Sequence, residues 1–96
     1  MSFTASDVLL KAASRIEEEG MWCQGRMYQD DAACALGMLL RVAFDLDAST
    51  DATNSAVELV DDLVSGLTDG DSLVKWNDAP GRTAHEVAEA MRKAAL

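Results

Sequence analysis

Apolar residues recur at spacings of three and four through four stretches of the chain, and no stretch shows a convincing period-two alternation of a half-buried strand. The pattern predicts an all-α protein. Val8, Leu9, Ala12, Ala13 and Ile16 trace one face of the first helix, with Thr4 or Ser6 to cap its start and Gly20 to end it. The second stretch, from about Asp31 to Leu46, is apolar nearly all the way round, and Arg41 is its only strong charge before Asp45. A helix of that kind is expected to be central and buried on most faces, with Asp30 or Asp31 as its N-cap and Arg41 marking a narrow wetted stripe.

The third stretch, about Asp51 to Leu67, sets Ala56, Leu59, Val60, Leu63, Val64 and Leu67 against Asp61 and Asp62, as in an amphipathic surface helix. After the breaker "TDGDS", the piece "LVKW" fits either a short helical turn or an extended segment. The last helix opens on Thr83 with Glu86 three residues later, the spacing of a capping box, and runs through Val87, Ala88, Met91 and Ala95. One local inconsistency stands out. Glu17, Glu18 and Glu19 crowd the negative end of the first helix, where each costs roughly a few tenths of a kcal/mol at an exposed site.

Two connections carry large side chains where loops usually carry small ones: "GMWCQGRMYQDD" and "WNDAPGRT". Trp22 and Trp76 are expected to pin these loops to the helices, each indole N–H needing an acceptor once buried. Pro80 and Gly81 suit the central positions of a type II turn flanked by Ala79 and Arg82, and Asp78 is close enough in sequence to pair with Arg82 across it. Ala33, Cys34 and Gly37 are small enough to admit a backbone or a flat ring against the second helix.

Length and charge narrow the functional classes. With 96 residues the chain has material for one core, so residues 1–96 are read as a single domain. Its 49 % hydrophobic composition is that of a globular protein. A formal charge of −9 argues against nucleic acid and anionic membranes as partners. No run reaches the ~18 apolar residues of a membrane span, and "MSFTASD" does not read as a secretory signal, so a cytoplasmic protein is expected. Two cysteines and one histidine fall short of a four-ligand zinc set, and no phosphate loop, dinucleotide fingerprint or HExxH occurs; no metal or cofactor is expected. Cys23 and Cys34 are read as reduced thiols, with a bridge between them left open.

The remaining chemistry is concentrated in the two loops. A nucleophilic trio would take Cys23 or Cys34, His85 as base and Asp78 or Asn77 to orient it, but nothing in the spacing requires that arrangement. The alternative makes every residue of the turn structural except His85, which is expected to face solvent.

The segments "MWCQG", "CALGML" and "WNDAPGRTAHEV" resemble a family of small actinobacterial and actinobacteriophage proteins classed as a domain of unknown function, DUF6197. The matching positions are Trp22, Cys23, Gln24, Gly25, Cys34, Gly37, Trp76, Asn77, Asp78, Arg82 and Thr83, although the loop from Gly25 to Ala33 is compact for that family. The resemblance implies no activity. It implies that the two loops converge at one end of a bundle of about four helices, over a floor made by Cys34 and Gly37.

Two functions follow as expectations. The first is an interaction protein, phage-encoded in one version, that binds a host protein or forms a homodimer through a patch drawn from Phe3, Met21, Met27 and Tyr28. The second is an enzyme or small-ligand binder using Trp22, Cys23, Gln24, Trp76, Asn77, Asp78 and Arg82.

Overall fold

The computed structural model describes residues 2–95. Among these residues five helices form, in the order α1 (Ala5–Ile16), α2 (Ala35–Asp45), α3 (Thr50–Leu67), α4 (Leu73–Asn77) and α5 (Ala84–Ala94). A two-stranded sheet, β1 (Tyr28–Gln29) and β2 (Ala32–Ala33), lies between α1 and α2, so the chain is mostly helical with one small hairpin.

Local signals start the outer helices where the sequence put them. Thr4 caps α1 and Thr83 caps α5, each in a reciprocal capping box, with Asp7 and Glu86 respectively returning a bond to the cap backbone. Pro80 and Gly81 form the expected turn, since Arg82 N–H donates to the Ala79 carbonyl at 3.1 Å and Gly81 has φ +82°.

α1 packs against α2, α3 and α5, and its Val8, Leu9, Ala12, Ala13 and Ile16 are all fully buried. This helix, not α2, is the shared element of the core. α2 buries Ala35, Gly37, Met38, Leu39, Val42 and Ala43 but leaves Leu40 and Phe44 exposed. A chain this short has too few elements to cover a helix on every side. The same limit acts on α3: Ala56, Val60 and Val64 are buried at a spacing of four, while Leu59 and Leu67, expected on that face, lie on its exposed edge.

The start of α2 also differs from the sequence reading. Residues 31–33, expected in the helix, instead complete a hairpin over 28–33 that turns through Asp30 at φ +56°, a left-handed conformation that Asp tolerates. Ala33 N–H donates to the Met21 carbonyl and Cys34 N–H to the Met27 carbonyl, so these groups are already paired outside any helix. The N-cap is Cys34, whose Sγ accepts Gly37 N–H at 3.5 Å, and neither Asp30 nor Asp31. Gly37 then has a definite steric role. A Cβ there would lie 2.6 Å from the Met27 carbonyl oxygen and 3.1 Å from the Tyr28 ring.

The acidic end of α1 finds its partners across the molecule. Glu17 bonds to Arg92 on α5 and lies 2.8 Å from His85 Nδ1, and Arg92 is shared with Glu89 at 2.9 Å. The Arg92 hydrogen bond, and after it the His85 one, lowers the Glu17 carboxyl from an ordinary 4.5 to about 2.

Gly37→Ala is expected to cost about 2–3 kcal/mol in overpacking against backbone, offset by the ~1 kcal/mol that Ala adds to helix propensity, read as a lower urea midpoint with an unchanged slope. A midpoint at or above wild type would show that the hairpin does not press on α2. The Glu17 pairs make a second expectation. Their stabilisation is complete above pH 4.5 and is lost as the pH falls toward 2. In thermal melts across that range, the margin of wild type over Glu17→Gln should shrink steadily; a margin independent of pH would contradict the pairing.

Candidate functional site

The two tryptophan loops meet at the side chain of Asn77, the last residue of α4, which is fully buried. Its Oδ1 accepts the Trp22 indole N–H at 2.7 Å and the Ala35 backbone N–H at 3.0 Å. Its Nδ2 donates to the Cys23 carbonyl at 3.1 Å and to Asp78 Oδ1 at 3.0 Å. Two donors and two acceptor lone pairs are all that an amide side chain has, so Asn77 is saturated. Only one orientation of the amide fits, because the oxygen faces two N–H groups and the nitrogen faces two oxygens.

Local structure places Asn77 there. Ser72 caps α4 by accepting Lys75 N–H, and Asp61 on α3 accepts Leu73 N–H at 2.7 Å, so the start of a five-residue helix is held from outside its own backbone. Leu73 and Trp76, three residues apart, anchor it in the core. Asn77 follows Trp76 and turns toward the first loop.

A second layer of bonds surrounds the amide. Gln24 Nε2 donates to the carbonyls of Asn77 at 2.9 Å and Ala79 at 3.0 Å, and Gly25 N–H donates to Asp78 Oδ1 at 3.0 Å. Asp78 therefore binds the first loop. The expected Asp78 to Arg82 pair does not form: Arg82 stacks on the Trp76 ring at 4.1 Å, donates from Nε to the Trp76 carbonyl at 3.0 Å and pairs with Glu86 at 3.3 Å. The guanidinium finds a flat ring, a carbonyl and a carboxylate on its own side of the turn, and Asp78 is already occupied on the other.

The trio considered from the sequence does not assemble. His85 is engaged with Glu17 on α1. Cys23 donates its thiol to the Arg26 carbonyl at 3.4 Å, and burial pushes its pKa above the usual thiol value, which opposes the thiolate that a nucleophile needs. Cys34 spends its sulfur on the α2 cap. Both cysteines are free and buried.

The loops do converge, but over a floor different from the expected one. Cys34 lines a cavity of about 200 Å³ together with Gly25, Arg26, Met27, Val74 and Asp78, whereas Gly37 lies beneath the hairpin. Gly25, Arg26, Met27 and Val74 carried no sequence signal for this cavity, since each belongs to it only through the meeting of the loops. Among the described residues no group of three or more His, Cys, Asp or Glu is placed to hold a metal ion. No helix among them is long and apolar enough to cross a membrane.

Fold and site together define a small, mostly helical domain whose two tryptophan loops are fastened by one buried amide. The chain belongs to DUF6197, a family of unknown function whose model matches residues 1–96. No match was found among curated proteins or among solved structures.

Asn77→Ala removes all four bonds and strands the Trp22 and Ala35 N–H groups; it is expected to cost at least about 2 kcal/mol, from two or more stranded groups at ~1–3 kcal/mol each. Asn77→Asp, nearly the same shape, should also destabilise because an acceptor then faces the Cys23 carbonyl and Asp78. Urea unfolding of both variants checks this. A loss under 1 kcal/mol for either would show that the amide is not the fastening.

Proposed function

We propose that this chain is a small acidic interaction module that works by docking on another protein, in the cytoplasm of an actinobacterium or of a phage's host, and is not an enzyme. The observation that carries this reading is how the polar groups are spent. Asn77, Asp78, Gln24 and Trp22 satisfy one another and the loop backbone, Cys23 is held as a neutral thiol, and His85 is paired elsewhere. A catalytic site needs groups left free to meet a substrate. Apolar surface, by contrast, is left unspent: Phe44 is 85 % exposed.

Of the patch suggested by the sequence, Phe3, Met27 and Tyr28 are exposed and Met21 packs against the core. Trp22, Cys23, Gln24, Trp76, Asn77, Asp78 and Arg82 act, on this reading, by holding the shape that presents the exposed residues. A second reading rests on the 200 Å³ cavity beside Cys34 and Asp78, which has room for a ligand of a few atoms.

The two readings separate in one experiment. Affinity capture from host lysate is run with wild type, His85→Ala and Asp78→Ala/Arg82→Ala, beside thermal melts and native mass spectrometry of each. An interaction module retains one protein partner in wild type and His85→Ala, and the double variant melts lower. A folded double variant that loses a co-purifying small molecule, with no protein partner for any form, would replace this reading with the second.

A further inference from the structure

Exposed apolar side chains on α2 and the hairpin fall into one strip. Gly37, Leu40 and Phe44 stand at i, i+3 and i+7 and so share a face of α2 over about 10 Å of helix. The Met27 backbone and the Tyr28 ring lie against Gly37 at one end, as the close approach of both to its Cα position requires. Met27, Tyr28, Leu40 and Phe44 are 39, 43, 37 and 85 % exposed, so apolar side chains reach solvent on the hairpin and along this face of α2. Arg41 borders it, stacked 4.9 Å from the Tyr28 ring centroid and donating to the Asp31 carbonyl, which fixes the hairpin over the helix. Beside Phe44 lies a hollow of about 370 Å³, walled by Leu40, Ala43, Ala48 and Thr53, large enough for one bulky side chain of a partner.

Charge indicates what covers the strip. Asp30 and Asp31 stand at its hairpin end, and Asp45 and Asp47 at its α2 end, all exposed. Of these four, only Asp45 has an ion pair among the described residues, with Arg15 at 2.6 Å. Carboxylates without an ion pair among the described residues therefore stand at both ends, Asp30 and Asp31 at one and Asp47 at the other, with the Arg41 cation at the hairpin end beside them. A second copy laid across the strip brings a net charge of −9 against the same charge, with one Arg41 on each strip to set against the carboxylates. An anionic lipid surface meets the same objection.

Resting on the interaction reading, we propose that the strip Met27–Tyr28–Leu40–Phe44 docks a cationic amphipathic helix of another protein. Its apolar side chains lie along the strip, with one in the hollow beside Phe44, and its Lys and Arg residues reach the acidic ends. This is recognition of a helix by spaced apolar anchors, with charge setting orientation and partner choice.

The probe is a fluorescein-labelled synthetic helix of Leu and Lys at amphipathic spacing, with a Leu and Glu counterpart, titrated by fluorescence anisotropy. The Leu/Lys helix should bind wild type and the Leu/Glu helix should not. Phe44→Ser, at a position 85 % exposed that leaves the melting temperature unchanged, should weaken binding at least tenfold, and Leu40→Ser, which melts lower but stays folded, should do the same. Asp47→Asn should weaken it several-fold and flatten its dependence on salt. Binding that stays within twofold of wild type in Phe44→Ser, or equal binding of the Leu/Glu helix, overturns the proposal. So does a concentration-dependent dimer in sedimentation equilibrium that Phe44→Ser abolishes, because the strip then belongs to a second copy. If lysate capture still retains a partner through Phe44→Ser, the strip is wrong and the interaction reading stands; if no variant or wild type retains any protein, that reading falls with it.

Discussion

Four hydrogen bonds from one buried amide tie together parts of the chain that are otherwise far apart in sequence. Asn77 reaches a tryptophan indole, the first N–H of α2, a carbonyl of the first loop and its own neighbour Asp78. Each contact satisfies a group that would be expensive to bury alone, and the amide itself could not be buried without them. The arrangement is all or nothing, because removing the amide leaves several unpaired groups at once in a place water does not reach. That mutual dependence makes Asn77 the centre of the loop end of the molecule.

The neighbouring elements inherit their positions from it. α2 has no strong cap of its own; a thiol takes one of its free N–H groups and the Asn77 oxygen takes another. α4 is too short to persist in isolation and is held by Asp61 at its start and by two core side chains. The hairpin is pinned by Trp22 pairing with Ala33 and by the close approach to Gly37. Tertiary contacts thus supply what local sequence supplies at α1 and α5. The polar groups that suggest chemistry in a list of residues are consumed in this work, and the unsatisfied surface lies elsewhere, on the outer side of α2.

That division bears on function. A small domain has little interior, and this one uses most of its polar side chains of interest to close a loop junction. What it leaves outward is a set of apolar side chains on α2 and the hairpin with carboxylates near both ends, the hairpin held against α2 by the Arg41 and Gly37 contacts. The stiffness of the loop end and the exposure of the strip are parts of one design, since the hairpin that supplies half of the strip is fixed by the junction behind it.

The helical class, the caps of α1 and α5 and the Pro80–Gly81 turn were legible in the sequence, whereas the meeting of the tryptophan loops came only as an implication of the family resemblance. Periodicity, capping boxes and turn dihedrals act over a few residues, so local chemistry is enough to specify them. The sequence did not reveal the hairpin at 28–33, the Cys34 cap, the partners of Asp78 and Arg82, or the relief of Glu17 by Arg92 and His85. The Gly25 partner of Asp78 and the partners of Glu17 lie 53 or more residues away, and the hairpin rests on a steric contact with Gly37; Arg82 and Cys34 turn to partners within six residues that spacing alone did not single out. The apolar surround of α2 shows the difference most clearly. Composition told that the helix avoids water, but which side stays wet was decided by how many other helices were there to cover it.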